Sequence, residues 1–406
     1  MTLRIGELPD RRGTGSFKWD LAGPDEIPLW VADMDFPVEP RIVDAMRRRL
    51  EHPVFGYSSV PAAYPEAFRR WQKERNRWEI DPDHLLVIPS VMQGLAVAIE
   101  AFTTVGDRIG VLSPVYFPFY DAVEELGRRI VRLPLMIEEN DRGRRYRIDH
   151  QLIREQAPTL SMILLCSPHN PGGRVWSAEE LMDLTKIAAD AGVPVISDEI
   201  HSDLVFPGER FTPWLTVSEG SGDVALLAPS KTFNIPGLPT AWAVVPDPET
   251  RKTLAAALHA RMHKLSNLLT MEAALAAYRA GGPWLEETRA TLSRHFRFVT
   301  ETLAKETGVT VFMMEGTFIA WIDLRERWGL PVTDRFPAAE GRQGPDHSLS
   351  RRFGTFARKH GVWLSDGSQF GPEGDGFMRL NFATSGQRLT TGIERLETAI
   401  AEFDPR

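Results

Sequence analysis

Between about Pro82 and Val245, short apolar runs alternate with stretches whose apolar positions recur at helical spacing. Leu85–Ile88 precedes the helical pattern Leu95–Phe102, Ile109–Leu112 precedes Tyr120–Leu126, and Met162–Leu165 precedes Ala178–Ala191. Val193–Ile196 and Val224–Leu227 are further runs of the same kind. This alternation predicts an α/β fold with a doubly wound, mainly parallel sheet, because strands covered by helices on both faces are apolar throughout. Beyond about Gly281 the pattern changes. A long helical stretch, Trp284–Thr307, gives way to strand-like Val309–Met313 and Phe318–Asp323, then a polar loop, a helix and a last strand around Met378–Phe382. The expectation is a large domain over residues 56–280 and a smaller α+β domain formed by 1–55 and 281–406. The segment from Trp328 to His347, rich in Pro, Gly and charge, predicts a solvated surface insertion, with an entrance lid as the alternative.

The ends of these runs carry the candidate chemistry. Ser230 and Lys231 follow the run Val224–Leu227, and Asp198 ends the run that begins at Val193. A lysine amine and a carboxylate in this order suit pyridoxal phosphate, whose aldehyde forms a Schiff base with an amine and whose ring nitrogen needs an anion to stay protonated. Ligands of doubly wound sheets bind at the carboxyl ends of strands, where both residues fall. Asn170, in Cys166-Ser167-Pro168-His169-Asn170-Pro171-Gly172-Gly173, lies in a turn at another strand end and can donate to the phenolic oxygen. Tyr116, in Pro114-Val115-Tyr116-Phe117-Pro118, offers a ring to stack on the pyridine. Ser90-Val91-Met92-Gln93-Gly94 opens a helix, so the amides about Met92 and Gln93 suit a phosphate.

Taken together, these motifs resemble the fold-type I pyridoxal-phosphate superfamily, in its cystathionine β-lyase and C–S lyase branch related to class I aminotransferases. The resemblance extends to Arg12-Gly13-Thr14-Gly15-Ser16-Phe17-Lys18-Trp19, Trp30-Val31-Ala32-Asp33-Met34-Asp35-Phe36, Phe55-Gly56-Tyr57 and Met378-Arg379-Leu380-Asn381-Phe382-Ala383. It implies that Lys231, Asp198 and Tyr116 are catalytic, and that Asn170, His201, Ser230, Met92, Gln93 and Tyr57 help to hold the cofactor. It also implies that Arg379, Asn170 and Asp33 bind an amino-acid substrate, and that two chains form a homodimer with shared active sites, Tyr57 reaching the neighbour's phosphate. Where many aminotransferases place a phosphate-binding arginine, eight residues past the lysine, this chain has Pro239. His201 stands where many have tyrosine. Both departures lean toward cleavage of a Cβ–S bond, giving a thiol, pyruvate and ammonia; an aminotransferase using the same residues is the rival reading.

Bulk properties narrow the partners. The 406 residues carry a formal net charge of −8, with 43% hydrophobic and 25% charged residues. A net negative chain is a poor match for nucleic acid, which needs a basic face. No apolar run approaches the roughly 18–20 residues that span a bilayer, and the N-terminus does not resemble a signal peptide, so a cytoplasmic protein without membrane partners is expected. A single cysteine and ten histidines without metal-ligand spacing predict no disulfide within the chain and no metal.

Overall fold

The computed structural model describes residues 8–261, 267–342 and 348–406. Among them, eight strands form the main sheet in the spatial order Ala339–Glu340, Arg129–Arg132, Arg108–Val111, Met162–Cys166, Val195–Asp198, Val224–Leu227, Ala241–Val244, Leu85–Ile88. The run from Arg129–Arg132 to Val224–Leu227 is parallel. Met162–Cys166, Val195–Asp198 and Val224–Leu227 are buried at every position, which is why the sequence shows them as unbroken apolar runs rather than alternating ones.

The sheet departs from the expected parallel pattern at one side. Ala241–Val244 is antiparallel to both Val224–Leu227 and Leu85–Ile88. The link between Leu227 and Ala241 holds only the single helical turn Pro229–Thr232, too little for the crossover that a parallel return needs. At the opposite edge, Ala339–Glu340 pairs antiparallel with Arg129–Arg132. Part of the expected surface insertion is therefore docked: Glu340 pairs with Arg108, and Arg335 with Asp149 at 2.7 Å. An edge strand covered in this way does not offer its amides to a second chain. Residues 343–347 of that segment lie outside the described residues.

The helix Val91–Phe102 sets the floor of the site. Ser90 caps it, its Oγ accepting from Gln93 N at 3.2 Å. Gly94 lets the helix lie close on the sheet, since a Cβ there would stand 2.4 Å from Ile88 Cδ1.

In the second sheet the order is Thr310–Val311, Ile319–Asp323, Phe377–Asn381, Ser365–Asp366, all antiparallel. Helices Gly282–Thr307, Leu349–Lys359 and Gly386–Glu402 accompany it, and Ile27–Pro28 of the N-terminal segment pairs with Val362–Trp363. One buried apolar cluster, including Leu29, Phe36, Trp242, Phe296 and Leu380, runs from the N-terminal segment past the main sheet into the second. The two sheets thus share a core. The hairpin Met136–Asn140 with Gly143–Arg147 is not foreshadowed by an apolar run, because only Ile137 opposite Tyr146 is an apolar pair while two others are ionic: Arg145 meets Glu138 at 2.7 Å and Arg144 meets Glu139 at 3.2 Å.

Candidate active site

Lys231 stands in the turn Pro229–Thr232, directly beyond the strand Val224–Leu227. Pro229 opens that turn, and the following residue holds it in place: Thr232 is buried and donates its hydroxyl to Asp203 at 2.9 Å, while Asp203 also accepts from the Trp71 indole at 3.0 Å. The Lys231 amine donates to the backbone carbonyl of Ala32 at 2.6 Å. Burial brings its pKa down to about 8; Asp33 and Asp198 oppose that fall, and Arg379 adds to it.

Lys231 shares one cavity of about 190 Å³ with Ala32, Ser90, Met92, Tyr116, Cys166, Asn170, Asp198, His201, Ser230 and Thr240. The sheet explains the convergence. Asp198 is the last residue of its strand and stands opposite Cys166 in register, while Asn170 and Tyr116 follow the neighbouring parallel strands. Tyr116 N–H donates to the Asn170 carbonyl at 3.1 Å, joining those two loops. All of these groups lie at the carboxyl edge of the parallel strands, where such sheets bind ligands.

The electrostatics are unusual for a folded protein. Asp198 is buried, and among the described residues its carboxylate takes its hydrogen bond from the Ile200 N–H at 3.0 Å. Burial pushes its pKa up to about 7 against the pull of that bond and of Lys231. His201 is buried with Nδ1 unpartnered, and burial, with the charges of Lys231 and Arg379, takes its pKa down to about 3. The imidazole is therefore neutral at physiological pH.

Arg379, on the strand Phe377–Asn381, reaches the same region from the second sheet. Its Nη1 donates to Asn170 Oδ1 at 3.1 Å, and its Nη2 to Trp30 O at 2.9 Å and Ser365 Oγ at 3.2 Å. Nε has no partner, and among the described residues no carboxylate pairs with the guanidinium. Burial lowers its pKa to about 10. A buried guanidinium with only neutral acceptors is costly until an anion arrives.

The remaining expected residues are distributed less evenly. Asp33 lies behind Lys231, on a second cavity of about 570 Å³ that shares Ala32, Lys231 and Pro236 with the first. It is held by Arg11 at 2.6 Å rather than left free. Gln93 does not line the lysine cavity. Its N–H caps onto Ser90 Oγ and the residue is exposed, while Gly94 N–H bonds Ser90 O at 2.9 Å, so of these amides Met92 is the one that remains at the cavity. Tyr57 is 97% exposed in the single chain and does not line the lysine cavity. Thr240 and the Ala32 carbonyl line the cavity without having been signalled by the sequence: a threonine after a Gly-Pro-rich loop and a backbone oxygen carry no motif.

The residues present fit pyridoxal phosphate. A buried carboxylate lacking a cation and an amine of lowered pKa line one cavity, and a buried guanidinium lacking an anion stands behind its Asn170 wall. Together they form a set of charges that a phosphorylated, cationic-ring aldehyde and an amino-acid carboxylate would neutralise.

The whole chain has known relatives. It is 35% identical to the cystathionine β-lyase PatB of Bacillus subtilis, over 98% of this chain and all of that one. Cystalysin from Treponema denticola, a structure containing pyridoxal 5'-phosphate, superimposes with a TM-score of 0.89 at 28% identity, over 99% of this chain and all of that one. The pyridoxal-phosphate-bound C–S lyase of Staphylococcus hominis gives 0.86 at 28% identity, over 98% of this chain and 99% of that one. The match to aminotransferase class I and II spans residues 24–396. With the sheet order, the lysine turn and that span in agreement, the chain belongs to the aminotransferase class I and II family.

Proposed function

We propose that this protein is a pyridoxal-phosphate-dependent carbon–sulfur β-lyase, cleaving the Cβ–S bond of L-cystathionine or S-substituted L-cysteines. With one water consumed, the products are a thiol, pyruvate and ammonia. The observation that carries the reading is that Lys231 and Asp198 line one cavity without pairing with each other, while Arg379, buried and lacking a carboxylate partner, is bonded to Asn170 of the same cavity. Full-length similarity to a cystathionine β-lyase favours the lyase over the aminotransferase.

When bound, the cofactor supplies a covalent link to the substrate amine and a sink for the electron pair left when Cα loses its proton. The chain's own residues do the rest. Lys231 would anchor the cofactor, Asp198 would face its ring nitrogen, Tyr116 its ring and Asn170 its phenolic oxygen. Met92, Ser230 and Thr240 would meet the phosphate, with neutral His201 packed alongside. Arg379 would hold the substrate carboxylate in its planar fork. Lys231 Nζ, with a pKa near 8, is suited to take the Cα proton close to neutral pH.

The proposal extends to assembly. The irregular segment 53–59 is exposed apart from the partly buried Ser58 and carries Val54 (60%), Phe55 (62%) and Tyr57 (97%), large apolar groups that a second copy would cover. A homodimer in which Tyr57 completes the partner's phosphate site accounts for them. The division into a large domain, 56–280, and a small one, 1–55 with 281–406, belongs to the same reading. No helix among the described residues is long and apolar enough to cross a membrane, and a cytoplasmic location is proposed.

The deciding experiment is turnover without a keto acid. A lyase releases many equivalents of thiol and pyruvate per active site from L-cystathionine or an S-alkyl-L-cysteine. One stoichiometric burst, relieved by adding pyruvate or 2-oxoglutarate, would establish the aminotransferase instead.

A further inference from the structure

We propose that the segment Trp30–Phe36 is a positioning strap that sets the separation of the Lys231 amine from the Arg379 guanidinium, with Asn381 and Asn234 as its two clamps. The inference rests on the lyase reading for what the amine and the guanidinium do, but not for the geometry.

The strap belongs to no sheet or helix, so its backbone oxygens must find partners elsewhere. They find side chains, one carbonyl after another. Trp30 O accepts from Arg379 Nη2 at 2.9 Å and Ser365 Oγ at 2.8 Å. Val31 O accepts from Asn381 Nδ2 at 2.6 Å, and Ala32 O from Lys231 Nζ at 2.6 Å. Asp33 O accepts from Asn381 Nδ2 again at 2.6 Å, and Met34 O from Asn234 Nδ2 at 3.0 Å. In the ligand-free chain the Lys231 amine and the Arg379 guanidinium thus hold oxygens two residues apart on one irregular segment. Moving the strap moves both.

Each cation travels with an asparagine from its own element. Asn381 follows Arg379 by two residues on the same strand. Its Nδ2 spans Val31 O and Asp33 O while its Oδ1 accepts from Ala383 N at 2.8 Å. Asn234 follows Lys231 by three and adopts φ 54°, in the left-handed region. There its Oδ1 accepts from Met34 N at 2.9 Å and its Nδ2 donates to Met34 O and Phe36 O. An amide suits both places because it donates twice and accepts at once, which neither a carboxylate nor a hydroxyl can do. The far end is weighted by a buried charge cluster: Lys18 meets Asp35 at 3.1 Å, both side chains fully buried, and Arg11 meets Asp33 and Asp35 at 2.6 and 2.9 Å. Asn381 and Asn234 act through the strap and are positioning residues.

The test uses the holoenzyme and L-alanine, which has no β-leaving group and so reports positioning without elimination. Its dissociation constant, read from the visible spectrum, follows the Arg379 end; exchange of its α-proton into D2O, read by NMR, follows the Lys231 end. Asn381→Ala removes the clamp beside the guanidinium. Asn234→Gly removes the clamp beside the amine while keeping a residue at ease with positive φ. In either variant, backbone amides of residues 30–36 should exchange faster, and binding and α-proton exchange should both fall by about ten- to hundred-fold, the cost of misplacement on the order of an ångström. If each variant disturbs only the cation beside it, or if the strap loosens while both readouts keep wild-type values, the ruler is overturned and the asparagines are local anchors. Should Asn381→Ala not fold, Asn234→Gly tests the strap from its other end by the same criteria. Wild-type protein that exchanges the α-proton of L-alanine but releases no thiol from any thioether would refute the lyase reading and leave the strap standing.

Discussion

The Arg379 guanidinium donates to Asn170 Oδ1 at 3.1 Å, so one hydrogen bond joins the last strand of the second sheet to the turn after Met162–Cys166 in the first. With Oδ1 engaged, the amide nitrogen is the part of Asn170 left to donate into the cavity. The residue proposed to clamp the substrate carboxylate and the one proposed to face the cofactor's phenolic oxygen are therefore joined by a direct contact between parts of the chain 209 residues apart.

Replacing Arg379 by alanine should cost catalytic efficiency far more than cofactor binding. A charge-assisted, two-pronged pair with a substrate carboxylate contributes about 2–4 kcal/mol, or roughly 30- to 1000-fold in kcat/KM. Steady-state kinetics beside the visible spectrum check this. Unchanged activity would mean that the carboxylate is held elsewhere.

Borohydride reduction of the purified protein, followed by peptide mapping, should place the pyridoxyl group on Lys231. Lys252 provides an internal control, being largely solvent-exposed and paired with Glu249 at 3.8 Å. Label on Lys252 in place of Lys231 would remove the basis of the site.

Asp198 gives cofactor affinity a pH dependence. Its pKa in the ligand-free fold, about 7, lies above the ordinary 3.8, so its contribution to ligand-free stability is fully present below about 3.8 and is lost as pH rises through 7. A cationic ring nitrogen beside it reverses that preference, because binding then requires the ionised form. Lys231, with its pKa near 8, favours binding in the same direction, since the covalent link needs a neutral amine. The dissociation constant of pyridoxal phosphate should fall as pH is raised from 6 to 8. Asp198→Asn should bind more weakly and keep only the part due to Lys231. An identical pH profile in the variant would show that Asp198 does not face the ring.

Tyr57 makes the proposed dimer testable. Mixing an inactive Lys231→Ala chain with a severely impaired Tyr57→Phe chain should restore part of the activity, since one hybrid site would receive both intact residues. Absence of recovery despite demonstrated subunit exchange would count against a shared site.

Much of the fold and of the site is written locally in the sequence, for physical reasons. Strands buried on both faces are written as apolar runs, and the chemistry of a parallel sheet gathers at their carboxyl ends, so Asp198, Lys231 and Asn170 can be picked out together from their positions alone. Ser90 announces its helix because a hydroxyl is needed where amides lack partners, and the first turn of that helix brings Met92 to the cavity. Other features are invisible at that level. The antiparallel turn of Ala241–Val244, the ionic hairpin Met136–Asn140 with Gly143–Arg147, and the docking of Ala339–Glu340 on a sheet edge depend on which distant segments pair, not on local periodicity. Gln93 shows the limit most plainly, since the same motif that predicts a phosphate amide also supplies the cap that consumes it. The strap is the clearest case: residues 30–36 form no regular element, and their five consecutive carbonyls from Trp30 to Met34 are satisfied by side chains from residues 231–234 and 365–381, with Lys18 and Arg11 joining at Asp33 O and Met34 O. Hydrogen bonds of that range have no period in the sequence; they exist only once two sheets have packed around one core.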